Sequence, residues 1–489
     1  MAKKLMCTCA ALLMPLIAAA QSPSAGSPPQ SQPDSVSQVE IKGKVPVNPE
    51  TLRVKLPRPQ EGVLSNGLRV YLLEDDKLPT FNLQFLVKGG GLADPADKRG
   101  VAMVAATLLR EGTKERTSRQ IAEQLATLGA SLSASASPSS GETGVAISGL
   151  AEKFDAALAI AADVIRNPTF PQTELDKFKT RFASQVQYQR SLPGFIAQEQ
   201  FLSAVYDQHP GSLIVPPDSV IAGLQSADLA TYHSAVYRPN NTLVLAHGDI
   251  TLKDLIAKLE RAFGSWEKAE ISERKLPDLS PPEKARVYIV DRPGSVQTSL
   301  RVGALGIERR SDDYFALVVA NHILGGGPAS RLFMNLREDK GYTYGASSSL
   351  SGSTFPGTVV ATTDVRTEVT EGAMHELMYE LKRLANEPVS QQELDNAQRA
   401  LVGRFALSLD SPQSLIANLA TQKIYGFPDD YWDTYPKHIE AVTAKDIQRV
   451  AKKYYAPDRL QLVAVGDASS ISKVLAQYGT IVSPAAGEN

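Results

Sequence analysis

Tyr237-Arg238-Pro239-Asn240-Asn241-Thr242-Leu243-Val244-Leu245-Ala246-His247-Gly248-Asp249 returns as Tyr455-Ala456-Pro457-Asp458-Arg459-Leu460-Gln461-Leu462-Val463-Ala464-Val465-Gly466-Asp467, an offset of 218. Two further echoes fall in chain order at almost the same offset. Arg69-Val70-Tyr71-Leu72-Leu73 matches Arg286-Val287-Tyr288-Ile289-Val290, and Glu174-Leu175-Asp176 matches Glu393-Leu394-Asp395. A period this long is one domain duplicated, not a solenoid. Pro277, Pro281 and Pro282 mark the joint between the copies. Within each copy strand and helix signals interleave. Phe81, Leu83, Phe85 and Val87 alternate with other residues as in a half-buried strand, and so do Leu300, Val302 and Ala304. Asn66-Gly67 is a turn ahead of a strand. Apolar spacings of three and four predict an amphipathic helix from Glu174 to about Ser191, repeated from Gln392 to Leu409. Leu243–Ala246 and Leu460–Val465 read as the strands that end each copy. The expected fold is α+β: two homologous domains in tandem, each a mostly antiparallel sheet packed against helices.

Outside the repeats the chain changes character. Residues 1–20 have Lys3 and Lys4, a short apolar stretch from Leu5 to Ile17, and Ala18-Ala19-Ala20, the pattern of a secretory signal peptide. Residues 21–48, rich in Ser, Pro and Gln, read as a flexible leader. The first domain is expected over 49–268, a linker over 269–284, the second domain over 285–480 and a tail over 481–489. Both cysteines, Cys7 and Cys9, fall in the signal segment, so the processed chain has no disulfide and no thiolate ligand. The net charge of −2 and the absence of basic runs argue against nucleic acid. No later stretch is apolar enough for a membrane span.

Chemistry concentrates in two places. The first is Gly100-Val101-Ala102-Met103-Val104-Ala105-Ala106-Thr107-Leu108-Leu109-Arg110-Glu111-Gly112-Thr113. The second is Leu324-Gly325-Gly326-Gly327-Pro328-Ala329-Ser330-Arg331-Leu332, followed by Leu336-Arg337-Glu338 and Gly341-Tyr342-Thr343-Tyr344. The duplicated domain and these two segments resemble the pitrilysin/insulinase family of zinc peptidases, in its short two-domain branch that includes mitochondrial processing peptidase. Active members carry H-x-x-E-H, in which two His one turn apart hold zinc and the Glu activates the zinc-bound water. Here Gly100, Ala102, Gly112 and Thr113 stand where members have them. The His positions are Met103 and Thr107, and the Glu position is Ala106. A thioether is a poor zinc ligand and alanine accepts no proton. The helix expected to bring a third ligand has no acidic residue between Asp176 and Glu199. Of the six His residues, no two are three or four apart, and His375 with Glu371, Glu376 and Glu380 reads as a solvated helix face. Glu111 reads as part of the turn after the helix.

The resemblance implies that Arg337 and Tyr344, seven positions apart, face a zinc site and stabilise the oxyanion formed when water attacks a peptide carbonyl. The bland reading pairs Arg337 with Glu338 or Asp339 and leaves Tyr344 as a strand residue. Gly325, Gly326 and Gly327 lack the Lys-Ser/Thr ending of a P-loop and read as a substrate loop that lets backbone approach closely. The combination implies a non-catalytic subunit, binding no metal itself. It would form a heterodimer with a zinc-bearing homologous peptidase acting on unfolded or extended peptides, in the periplasm or secreted after cleavage near Ala20. Two alternatives stand beside it: a self-sufficient zinc metalloendopeptidase with a displaced metal site, and a peptide-binding or structural pseudopeptidase that hydrolyses nothing.

Overall fold

The computed structural model describes residues 53–272 and 274–482. The signal segment and leader read from the sequence, and the last residues of the tail, lie outside them. The strands are β1 (Gln60–Val63), β2 (Arg69–Glu74), β3 (Thr80–Lys88), β4 (Ser131–Ser135), β5 (Glu142–Leu150), β6 (Thr242–Gly248), β7 (Arg286–Asp291), β8 (Gln297–Leu305), β9 (Thr343–Leu350), β10 (Thr358–Arg366), β11 (Gln461–Gly466) and β12 (Thr480–Val482). They form two six-stranded sheets, ordered β1-β2-β6-β3-β5-β4 and β12-β7-β11-β8-β10-β9. The β2–β6, β7–β11 and β7–β12 pairs are parallel and the rest antiparallel. The sheets repeat except at one edge. The first half takes its outer strand from the chain ahead of β2, and the second takes β12 from the chain end. β12 therefore reaches two residues into the stretch read as a tail. The runs read as terminal strands, β6 and β11, lie inside their sheets, and more structure follows each, including the helices Leu252–Phe263 and Ala468–Leu475. The repeated amphipathic helices run Gln172–Gln189 and Gln391–Ser408, slightly earlier than their periodicity suggests. The first starts directly after Pro171, which stands ahead of its first turn.

One face of each sheet buries a core against its own half's helices. Leu83, Phe85, Val244 and Val145 meet Val101, Val104, Ile160 and Leu259 in the first half. Leu300, Val302, Val359 and Leu462 meet Leu317, Leu377 and Ile447 in the second. The other faces are covered by exchange. Helix Pro193–Tyr206, from the first half, lays Phe201, Val205 and Tyr206 on Tyr288, Leu305, Val463 and Val465 of the second sheet. Helix Pro412–Tyr425, from the second half, lays Ile416, Leu419 and Ala420 on Tyr71, Leu73, Leu86 and Leu245 of the first. Gly303 on β8 accommodates the first contact, since a Cβ there would stand 2.9 Å from the Phe201 ring. A strap ahead of β1 adds to the clasp: the Leu56 amide donates to Asp433 Oδ1 at 2.9 Å, and Arg58 binds Asp433 and the Asp429 carbonyl.

Asp313, just before helix Tyr314–Gly325, ties that helix to Ala444–Tyr454 through Arg449, Lys453 and Tyr454 at 2.5, 2.9 and 2.8 Å. Burial alone would raise its carboxyl pKa, but these three bonds outweigh burial and hold it at about 2. A depressed acid stabilises the fold above its unfolded pKa of roughly 4 and ceases to as pH falls toward 2, a contribution on the order of 2 kcal/mol. Asp313→Asn is expected to lower urea-unfolding stability by that order at pH 7 and by about a third as much at pH 2.5, where the folded-state carboxyl is still largely ionised. An equal loss at both pH values would show that the ion network does not carry it.

Candidate functional site

Helix Val101–Leu108 begins over Asp94, a buried carboxylate. Its Oδ2 accepts the Gly100 N–H at 2.5 Å and its Oδ1 the Ala102 N–H at 3.0 Å, so it satisfies amides that a helix start leaves open. Burial pushes this carboxyl up to about 7 despite both bonds. The helix packs beside β4, the edge of the first sheet. Met103 is half-buried, Ala106 buried and Thr107 exposed, with the Thr107 hydroxyl donating to the Met103 carbonyl at 2.8 Å. The positions that would hold a metal thus offer a thioether, a methyl group and a hydroxyl engaged with its own helix. On the helix Gln172–Gln189, Ala183, Ser184 and Gln185 are exposed and bring no carboxylate. These residues do not fit zinc, and among the described residues no group of three or more His, Cys, Asp or Glu side chains is placed to hold a metal ion. Glu111 accepts a hydrogen bond from Ser118 Oγ at 2.6 Å, a local tie within the turn.

The second segment is built differently. Helix Arg331–Phe333 runs into a π-helical turn, Met334–Asp339, and Arg337 rides on it. Turns of this kind are rare and are frequent at functional sites. The guanidinium lies between two rings, 4.8 Å from Phe333 and 4.7 Å from Tyr344, and its Nη1 donates to the Tyr344 carbonyl at 3.0 Å. Arg337 Nε also lies 3.3 Å from Glu338, so the bland ion pair coexists with the Arg–Tyr contact. Tyr344 is the second residue of β9, the edge of the second sheet, and is 89% exposed. The structure therefore brings Arg337 and Tyr344 together at the edge strand of the second sheet, while Met103, Ala106 and Thr107 lie on a helix of the first half.

What holds the turn was not legible in the sequence. Asn335 Nδ2 donates to Glu376 at 3.0 Å and to Glu380 at 2.9 Å, one turn apart on helix Thr370–Asn386. Lys340 pairs with Glu376 and Arg383 with Glu380. The reading of this acidic face as solvated holds for His375, whose side chain is 71% exposed, but fails for Glu380, which is buried as a brace for the arginine-bearing turn. The only available signal was the i, i+4 spacing of Glu376 and Glu380, which surface helices share. Arg331 is also buried and takes both Glu393 oxygens, at 2.8 and 3.1 Å. Of the glycines, a Cβ on Gly325 would stand 2.1 Å from the Ser348 amide nitrogen and one on Gly326 would stand 2.6 Å from the His322 Cα, whereas Gly327 has open space. The close approach that Gly325 permits is to β9 itself, so it sets the strand that presents Tyr344.

Two family models match the chain: "Insulinase (Peptidase family M16)" over residues 69–217 and "Peptidase M16 inactive domain" over 223–401. An uncharacterized zinc protease, YmxG, of Bacillus subtilis is 24% identical over 310 residues, 63% of this chain and 75% of its own. A protein of Helicobacter pylori named "Non-peptidase homolog YmxG" is 23% identical, covering 78% of this chain and 88% of its own. Among solved structures, a peptidase M16 inactive domain from Pseudomonas fluorescens superposes with a TM-score of 0.78 at 26% identity, over 84% of this chain and 98% of that one. The periplasmic protease PqqL of Escherichia coli superposes with a TM-score of 0.72 at 16% identity, over 88% of this chain and 48% of that one.

Proposed function

Because the chain belongs to the insulinase (M16) peptidase family, as a homologue without that family's metal-binding and general-base side chains, we propose that it is the non-catalytic subunit of a peptidase heterodimer. In this reading a zinc-bearing homologue activates water. Arg337 and Tyr344 approach the substrate carbonyl from this chain, stabilise the oxyanion and hold the peptide backbone. The observation that carries it is the asymmetry between the two sites. The metal-site helix has lost every donor, while the Arg–Tyr pair stays assembled on a braced turn beside an open strand edge. Strand edges are natural receptors for extended peptides, and β4, with Ser131, Ser133 and Ser135 exposed, and β9 both end their sheets. No helix among the described residues is long and apolar enough to cross a membrane. With the signal-like residues 1–20, this supports a periplasmic or secreted site of action.

The test is to purify the chain alone and with a zinc-bearing homologue encoded beside it. The pair is expected to cleave an unfolded peptide and the chain alone to leave it intact. Elemental analysis of the chain alone is expected to find only substoichiometric zinc. Stoichiometric zinc with chelator-sensitive hydrolysis by the lone chain would replace this reading with an autonomous peptidase. Peptide binding with no hydrolysis by any pair would replace it with a pseudopeptidase that only binds.

A further inference from the structure

Helix Pro193–Tyr206 covers β7, β11 and β8 of the second sheet and reaches Val360 of β10, short of the edge strand β9. Between the helix and this uncovered edge lies a cavity of about 350 Å³. That is at the small end of ligand sites, which run from roughly 300 Å³ upward. Its walls combine two chemistries. Leu202 and Phe355 supply apolar surface backed by the buried Phe201, and Ser349 supplies a hydroxyl from β9; the Ser351 hydroxyl, just past the strand, is engaged with Thr358. A single charged side chain, Arg301 of β8, lines it, and no carboxylate does.

Arg301 is poorly satisfied where it stands. One Nη2 N–H donates to the Gly194 carbonyl at 3.0 Å, and its Nε is buried without a hydrogen-bond partner. It forms no ion pair among the described residues; Asp364, two residues along β10 from Arg301's cross-strand partner Thr362 and on the same face, attracts it without pairing. A half-buried guanidinium without a counter-ion is costly, and native proteins pair such charges or supply them with a ligand. Polar recognition of a carboxylate by a guanidinium is also geometrically favoured.

We propose that this cavity binds the C-terminal residue of an extended peptide. Its free carboxylate lies on Arg301 and its apolar side chain lies against Phe201, Leu202 and Phe355. The site requires a carboxylate and an apolar group on one residue. A C-terminal leucine or phenylalanine has both, whereas an internal Asp or Glu ends in its charge. This inference rests on the reading that the chain receives peptides, and it names the end it selects.

The experiment is equilibrium binding to the full chain, without partner, by calorimetry. The probes are an N-acetylated hexapeptide ending in a free-acid leucine, the same peptide as the C-terminal amide, one ending in aspartate amide, and octanoate. The free-acid leucine peptide is expected to bind roughly 10- to 100-fold tighter than the amide, the range of a hydrogen bond to a charged group. Arg301→Gln is expected to erase that difference and Arg301→Lys to keep part of it. Ser349→Trp, at an exposed strand position, is expected to block the cavity with thermal unfolding unchanged, which separates binding loss from misfolding. Equal affinity for acid and amide, or equal affinity for octanoate or the aspartate amide, would overturn the proposal. Hydrolysis of C-terminally amidated peptides by the heterodimer does not depend on this cavity, so its loss would count against the subunit reading and not against this site.

Discussion

Arg337→Ala in the assembled heterodimer is expected to lower kcat for peptide hydrolysis roughly 100-fold with little change in KM, the cost of deleting one preorganised oxyanion donor. The geometry accounts for the size. The guanidinium is held between the Phe333 and Tyr344 rings and anchored by one Nη to the Tyr344 carbonyl, so little reorganisation is needed when charge develops on the substrate oxygen. Arg337→Lys keeps the charge but loses the planar fork that stacks between rings, so it should recover only a small part of the activity. Tyr344→Phe removes the hydroxyl from a side chain already at the surface and should reduce kcat without affecting stability. The brace gives a second control. Glu380→Gln leaves Arg337 intact but weakens the hold on Asn335, and should lower kcat less than Arg337→Ala does. Unchanged turnover in Arg337→Ala would return the residue to its ion pair with Glu338 and to a structural role alone.

The sequence carried the repeat and the two segments of chemistry because both depend on local pattern. A near-constant offset survives divergence when each copy keeps its strand order, and the order of β2, β6, β3, β5 and β4 indeed matches that of β7, β11, β8, β10 and β9. The vacated metal site was readable because ligand chemistry is a matter of residue type at fixed spacing. Helix Pro193–Tyr206 shows why other features were not. Its apolar side chains announce burial, but no periodicity says which sheet receives them, and they pack on the opposite half. The π-helical turn under Arg337 has the same difficulty, since it is set by Asn335 meeting Glu376 and Glu380 about forty residues later in the chain. Arg301 sits in a strand whose neighbours Leu300 and Val302 announce only alternation, and its unpaired state appears only once Gly194 and the strand edge surround it.

The exchanged helices make the halves one cooperative unit, and Phe201→Ala is expected to undo this at a cost of about 3–5 kcal/mol. Phe201 is 1% exposed and packs over Gly303, which has no side chain of its own to fill the void. Two tryptophans report the halves separately. Trp266 packs on Phe263 in the first core, and Trp432 lies in the second half, donating its Nε1–H to the Asn418 carbonyl at 2.9 Å. In single-tryptophan versions of the otherwise unaltered protein, both are expected to give the same urea midpoint, as one cooperative transition requires. With Phe201→Ala the sheet that loses its cover belongs to the second half, so the Trp432 transition should move to lower urea ahead of the Trp266 transition. Ile416→Ala, on the helix that crosses the other way, strips the first sheet and should reverse that order with a loss of about 2–5 kcal/mol. Coincident transitions in both variants would mean that the halves are joined by contacts other than the two helices, and the strap from Leu56 to Asp433 would be the next one to cut.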